Sequence, residues 1–343
     1  MTGSNGGFGN HLSVVIPAYN EEPVLASFHA RLMAVLDGLD MRSEVLYVND
    51  GSTDGTLSVI SNLRVADPRV GLIDLSRNFG KEIAMTAGLD HASGDAVIVI
   101  DADLQDPPEI IPALVAHWRE GFDVVYAKRT QRRGDSAPRR YIVRMFYRVI
   151  QSTAKVHIPA DTGDFRLLSR RAVEAMTQLR EQHRFMKGLF AWIGYAQKEV
   201  RYVRDARFAG KTKWNYWKLW NFALEGITSF TIAPLKVATY IGLATALGAF
   251  VFGLYIVTDT LLHGNPVAGY PSLMTVVLFL GGIQLMSIGV IGEYLGRMFN
   301  ESKRRPLYFV NRMSLPTSKD DISSAAEVET SRLLTSVSRT IQD

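Results

Sequence analysis

Asp101 and Asp103 stand one residue apart directly after the β-branched run Ala96–Ile100, and the chain continues as Leu104-Gln105-Asp106-Pro107-Pro108. Side chains alternate along a strand, so the two carboxylates are expected to share one face just past the strand end. Like charges held together raise each other's pKa. The usual reason to hold them so is a hard divalent cation with a phosphate on its far side. The pattern points to nucleotide-diphosphate chemistry at the carboxyl edge of a parallel α/β sheet, where open sheets bind ligands. An isolated Asp-x-Asp is also common as a solvated turn, so the neighbouring motifs decide its meaning.

Four further segments carry suitable groups. Val15-Ile-Pro17-Ala-Tyr19-Asn20-Glu21-Glu22 and Val48-Asn-Asp50-Gly-Ser-Thr-Asp54-Gly55 each end an apolar run. Asp161-Thr-Gly-Asp164-Phe-Arg166 and Gly210-Lys211-Thr-Lys213 lie downstream. Ahead of Asp161 is an arginine-dense stretch with Arg129, Arg132, Arg133, Arg139, Arg140, Arg144 and Arg148, interrupted by Gly134–Pro138, which reads as a mobile loop. Planar guanidinium forks suit phosphate oxygens; such arginines also serve as a basic face near anionic lipid headgroups. Tyr19 offers a flat ring and a hydroxyl, and Asp50 an acceptor for a base N–H. Asn20 is expected in a turn. Asp54 is expected to cap the following helix, and Asp106 the Pro-Pro helix.

The elements that must position these groups alternate in type. Strands are expected at 12–16, 44–48, 70–75, 96–100 and 123–127. Helices are expected at 22–39, 54–66, 79–92 and from Pro107-Pro108 to 118. Another, capped by Ser169, runs to 179. Strand–helix alternation predicts a parallel sheet of Rossmann-like type.

The last third of the chain changes character. Residues 237–258 carry no formal charge, and residues 272–292 repeat the pattern. Each is about the length that spans ~30 Å of hydrocarbon as a helix. Two such spans with so short a connection are poorly explained as buried core. Arg201, Arg204, Arg207, Lys211, Lys213, Lys218 and Lys236 precede the first span; Arg297, Lys303, Arg304 and Arg305 follow the second; the loop 259–271 has no Lys or Arg. The positive-inside rule then places the large N-terminal domain and both termini in the cytoplasm. Trp214, Tyr216, Trp217, Trp220 and Phe222, interleaved with Lys218 and Glu225, read as an amphipathic helix at the bilayer surface.

The expected organisation is a flexible N-terminus (1–11), a catalytic domain (12–210), a juxtamembrane amphipathic segment (211–233), two spans within 234–298, and a cytoplasmic tail (299–343) mostly disordered after 314. The first ten residues show no secretory pattern. The chain has no cysteine and a formal net charge of only +4, which excludes thiolate chemistry and gives no support for nucleic-acid binding.

Taken in order and spacing, these motifs resemble the inverting glycosyltransferases of family two, which have the GT-A fold. With two C-terminal spans the chain resembles polyprenyl-phosphate glycosyltransferases, the group that includes bactoprenol glucosyltransferases and dolichyl-phosphate mannose synthases. The resemblance covers about residues 12–310. It implies a nucleotide site at Pro17, Tyr19, Glu21, Asp50 and Asp101. It implies Mg²⁺ or Mn²⁺ on Asp103, Asp101 and Gln105, an oxygen-only set that suits either ion. It implies phosphate contacts from Arg129, from Arg139 or Arg140, and from Lys213. Asp164 sits at the catalytic carboxylate position. A lipid phosphate nucleophile has a second pKa of ~6 and needs little help from a base, so Asp164 is expected to orient groups, with Arg166 pairing to Asp164 or Asp161. The Gly-Asp-Phe-Arg form departs from the Ser-Gly-Phe-Arg of mannose synthases, which favours UDP-glucose over GDP-mannose or another UDP-sugar. The implied partners are a nucleotide sugar, polyprenyl phosphate and the membrane, in a bacterial inner membrane.

Other functions are weaker. Processive polysaccharide synthases share the Asp-x-Asp but resemble one another in a Gln-x-x-Arg-Trp motif that this chain lacks, and two spans do not enclose a polymer channel. A non-catalytic scaffold would be expected to lose the Asp-x-Asp or the basic groups. A transporter would be expected to carry intramembrane charge. Gly281, Gly282, Gly289, Gly292 and Gly296 allow close helix packing within or between chains, including in a homo-oligomer.

Overall fold

The computed structural model describes residues 9–130, 162–202, 233–263 and 269–316. Its centre is an eight-stranded sheet in the order β7-β5-β6-β4-β1-β2-β3-β8. The strands are β1 (His11–Ala18), β2 (Arg42–Asn49), β3 (Val70–Leu75), β4 (Ala96–Val99), β5 (Val124–Arg129), β6 (Thr162–Ser169), β7 (Gln197–Tyr202) and β8 (Val310–Ser314). The helices are α1 (Glu22–Asp37), α2 (Thr56–Ala66), α3 (Lys81–His91), α4 (Ile111–Arg119), α5 (Arg170–Gln178), α6 (Met186–Trp192), α7 (Ala233–His263) and α8 (Tyr270–Ser302).

The central strands are β-branched and buried on both faces. Their two-residue period sends alternate side chains into two cores. Val14, Ile16, Tyr47, Ile98, Phe165 and Leu167 pack with Phe28 and Leu32 of α1 and Leu114 of α4. Val15, Leu46, Val97, Val99 and Leu168 pack with Met85 and Leu89 of α3, Val173 of α5 and Phe190 of α6. Each such side chain contributes ~1.5–3 kcal/mol on burial. Gly88 lets α3 lie directly on β1, because a Cβ there would collide with Val15.

The sheet is mixed, which corrects the expectation of a parallel one. β1 pairs in parallel with β2 and β4, and β2 with β3. β6, however, inserts antiparallel between β4 and β5. Ser169 caps α5 as expected, its side chain accepting from the Ala172 N–H. Asp54 lies one residue before the cap position of α2, which Gly55 holds, and its carboxylate takes the Thr56 N–H at 3.0 Å.

α7 and α8 have 31 and 33 residues. They contact each other, and their apolar windows, Leu235–Tyr255 and Phe279–Ser302, bury nothing inside the protein. Leu243, Phe250, Leu285 and Ile288 are each more than 60 % exposed. A soluble core helix would be covered, so a bilayer is the environment these surfaces fit. Beyond the hairpin the chain returns to the sheet. Tyr308 donates to Asp90 at 2.8 Å, the Ser76 N–H donates to the Phe309 carbonyl at 2.9 Å, and β8 pairs antiparallel with β3. The expected tail thus contributes an edge strand up to Ser314.

Candidate active site

The carboxyl ends of the neighbouring strands β2, β1 and β4 bring Asp50, Tyr19 and Asp101 to one edge of the sheet. Pro17 is buried one residue before the end of β1, and Tyr19, just beyond the strand, is 43 % exposed. The turns here are internally tied. The Glu21 N–H donates to Thr56 Oγ1 at 2.9 Å. Asn20, at φ 56°, accepts from the Thr53 N–H at 2.8 Å, and Glu22 accepts from the Gly55 N–H at 2.8 Å. Asn20 is thus a turn residue, as expected.

Asp50 is buried, and its carboxylate takes the N–H groups of Phe79 at 2.7 Å and Gly80 at 3.0 Å. Burial raises its pKa against the opposing pull of these two bonds. The carboxylate therefore anchors the loop that leads into α3. Gly80 has φ 96°, a region that favours glycine, and this is why α3 starts at Lys81 and not at Phe79.

That loop presents a residue the motifs did not signal. Lys81 Nζ lies 2.7 Å from Asp101 Oδ2 and 2.5 Å from Asp164 Oδ2. Burial alone would lower the ammonium's pKa, but the charges of Asp101 and then Asp164 more than offset it and the pKa rises. Asp164, on β6, is likewise raised by burial, but the ammonium groups of Lys81 and Lys187 overturn that and hold it well below the usual carboxylate range. Asp101 goes the other way. Burial raises it, and the pull of Lys81 does not fully compensate. Asp164 Oδ1 and Glu82 Oε2 are buried without a hydrogen-bond partner among the described residues. Glu82, next to Lys81, is pushed up to about 8 by burial and by the Asp164 charge. Burial lowers the Lys187 ammonium. Lys81, Glu82 and Lys187 are separated in sequence from the carboxylates they meet. The one available signal was a Lys-Glu pair opening a helix directly after a glycine.

Alternation does not carry from Asp101 to Gln105, because β4 ends at Val99 and Leu104 adopts φ 59°. Gln105 instead folds back onto Asp103, its N–H at 3.1 Å from Oδ1 and its Nε2 at 2.7 Å from Oδ2. The amide thus holds Asp103 in place. A positive φ at a leucine is uncommon and is the kind of strain that collects at functional sites. Among the described residues no group of three His, Cys, Asp or Glu side chains gathers to hold an ion. Mg²⁺ characteristically takes one or two carboxylates and completes its shell with substrate phosphates. The Asp101–Asp103 pair fits such a shared site.

Arg129 ends β5 with Nε 3.0 Å from the Tyr202 hydroxyl and Nη2 3.4 Å from Asp106 Oδ1. The Tyr202 hydroxyl also donates to Asp106. Asp106 therefore does not cap the Pro-Pro turn, which has no side-chain cap; it is the buried counter-charge of Arg129. Arg166 Nε donates to the Asp164 carbonyl and not to its carboxylate, and the other expected partner, Asp161, lies outside the described residues. The Arg166 guanidinium also donates to the Gly163 carbonyl at 2.9 Å and stacks on Phe190 at 3.8 Å, and burial lowers its pKa to about 10. Asp161, Arg139, Arg140 and Lys213, and the amphipathic segment around Trp214–Phe230, lie outside the described residues.

A family model described as glycosyl transferase family 2 matches residues 13–177, and one for the GtrB C-terminal hairpin matches residues 233–298. A glycosyltransferase from Synechocystis sp. is 53 % identical over 88 % of this chain and 94 % of its own length. The chain belongs to glycosyl transferase family 2. The bactoprenol glucosyl transferase of Shigella phage SfV is 49 % identical over 87 % of this chain and 97 % of its own. A prophage bactoprenol glucosyl transferase homologue from Escherichia coli K12 is 47 % identical over 88 % and 99 %. The family's GT-A sheet and its appended hairpin are thus both present, and the Asp101–Lys81–Asp164 bridge lies inside the family 2 segment.

Proposed function

We propose that this chain transfers a single glucose from UDP-glucose to a polyprenyl phosphate, of undecaprenyl type, with inversion at the anomeric carbon. The observation that carries the reading is the union, in one chain, of a paired-carboxylate site and an exposed apolar hairpin. The relatives named as bactoprenol glucosyl transferases match it over nearly their whole length. A lipid phosphate oxygen attacks the anomeric carbon, the bond from that carbon to the donor diphosphate breaks, and UDP departs.

Asp103 and Asp101 would hold Mg²⁺ or Mn²⁺, which supplies counter-charge to the leaving diphosphate. Gln105 keeps Asp103 aimed. Asp164 is held ionised and weakly basic, with Oδ1 buried and without a hydrogen-bond partner among the described residues. It orients the acceptor or the sugar hydroxyls, because a phosphate monoester with a second pKa of ~6 is already largely ionised at neutral pH. Arg129, together with Arg139, Arg140 and Lys213, would supply cationic contacts for the two phosphate-bearing substrates. Pro17, Tyr19 and Glu21 border the place for the nucleoside. The hairpin anchors the catalytic domain at the cytoplasmic face of a bacterial inner membrane, where the prenyl chain remains in lipid during transfer. Gly281, Gly282 and Gly289 offer a packing face for a second copy.

Membranes containing the protein, incubated with polyprenyl phosphate and a panel of radiolabelled UDP- and GDP-sugars, test this. Label from UDP-glucose should enter the organic phase, and excess chelator should abolish it. Preferred transfer from GDP-mannose would overturn the donor, full activity in chelator the metal, and label in a water-soluble polymer the single-sugar product.

A further inference from the structure

Lys81 is placed with unusual care. The buried Asp50 carboxylate clamps the Phe79 and Gly80 N–H groups, and Gly80 turns the chain at φ 96°. The next side chain reaches two carboxylates at once, Asp101 just past β4 and Asp164 on β6. Lys81 keeps 40 % of its side-chain surface exposed, while Asp101 and Asp164 keep 25 % and 13 %. The ammonium thus closes the mouth of a largely buried acidic pair. One of the two, Asp101, belongs to the pair assigned above to the divalent cation; the other, Asp164, is the carboxylate given above the role of orienting the acceptor or sugar hydroxyls.

We propose that Lys81 is a positioning residue that shares Asp101 with the divalent cation and ties that carboxylate to Asp164. The inference rests on the metal reading above and deepens it. A carboxylate cannot serve an ammonium at 2.7 Å and a dication at full strength together, because the two cations repel. Lys81 therefore lowers the site's affinity for the bare ion. The donor diphosphate, with its added negative charge, offsets that repulsion, so ion and nucleotide bind more tightly together than apart. As Asp101 turns to the ion, Lys81 remains on Asp164 and faces the phosphate-bearing substrates. A purely structural lysine predicts the opposite for the ion. Its loss would loosen the carboxylates and weaken binding.

The test is Mn²⁺ binding to the purified full-length protein, followed by the electron paramagnetic resonance of free Mn²⁺, with and without UDP. Lys81→Met and Lys81→Gln are compared with wild type. The glutamine is neutral yet still donates to the carboxylates, and it guards against loss of fold. Both variants should bind Mn²⁺ on the order of tenfold more tightly than wild type without UDP, the scale on which one adjacent charge acts. The cooperativity between Mn²⁺ and UDP should shrink. Unchanged or weaker Mn²⁺ binding in folded variants, while wild type binds the ion, would overturn the role of Lys81 alone. Wild-type protein that takes up no Mn²⁺ even with UDP would overturn the metal reading together with this one.

Discussion

Asp164 stays ionised because two ammonium groups outweigh its burial, and a carboxylate so stabilised is a poor proton acceptor. Asp164→Asn keeps shape but removes that charge. It should cost less than the ~10²–10⁴-fold expected on losing a general base, and the pH–rate profile should keep an acidic limb near ~6 set by the substrate phosphate. A loss of several thousandfold with that limb gone would make Asp164 the base. Glu82 gives a separate readout. Its pKa rises from 4.5 to about 8 on folding, so the folded state holds a proton that the unfolded state has released. That contribution to stability is complete below about 4.5 and is lost as pH rises toward 8. Glu82→Gln is neutral throughout. The excess of its melting temperature over wild type should therefore grow across that window and level off above it; a flat difference would show that Glu82 ionises normally. Asp101, Asp103 and Asp164 were legible as motifs, because acidic residues at strand ends have few structural reasons to cluster. Lys81 and Lys187 were not, because their partners lie across the fold. Asp106 was read as a helix cap from its place before two prolines, but Tyr202 and Arg129 claim it first.

β1 to β5 were readable as elements because each is an apolar, largely β-branched run with buried residues on both faces. β6 was hidden by its own chemistry: Thr162, Gly163, Asp164 and Arg166 break the apolar pattern even though Phe165, Leu167 and Leu168 are fully buried. β7 and β8 are edge strands, short and largely polar, and edges are commonly built that way. β8 nonetheless makes a specific contact. Asn311 donates to Asp74 at 2.9 Å, and Asn49 donates to the other oxygen of Asp74 at 2.7 Å. Asn49 in turn accepts from the Ser52 N–H in the turn that follows Asp50, at 3.3 Å. The strand returning from the apolar hairpin thus braces the turn after Asp50, where the nucleotide site is proposed. Asn311→Leu removes a donor from a buried carboxylate and should destabilise the domain by ~1–3 kcal/mol. The apparent KM for the sugar nucleotide should rise more than that for polyprenyl phosphate. An equal change in both constants, or none, would separate β8 from the nucleotide site.

The whole molecule joins a mixed α/β sheet to a hairpin whose two apolar helices were legible from composition, although they run 31 and 33 residues and extend beyond the expected 237–258 and 272–292. The mixed sheet was not legible, since strand pairing is decided by contacts far apart in sequence. The topology proposed above rests on two independent arguments. α7 leaves the catalytic chain and α8 leads straight back to β8 in the same sheet, so both ends of the hairpin emerge on the side of the catalytic domain. The helices, at 31 and 33 residues, exceed the ~20 needed to cross hydrocarbon, and in the C-terminal part of α8 Glu293 and Arg297 pair at 3.0 Å. Which side this is follows from charge. Lys236, Arg297, Lys303, Arg304 and Arg305 flank the hairpin at its domain end, and the connecting loop 259–271 has no Lys or Arg. By the positive-inside rule we propose that the domain end is cytoplasmic. The chain contains no cysteine, so single cysteines report without background. Asn265→Cys, in the connecting loop, should react with an impermeant maleimide added outside intact cells whose outer barrier has been opened. Ser323→Cys, beyond β8, should react only after the inner membrane is permeabilised. The reverse pattern would place the carboxylate site outside, away from cytoplasmic sugar nucleotides. Labelling of both positions from outside would break the hairpin itself, because β8 could not then return to the sheet that α7 left.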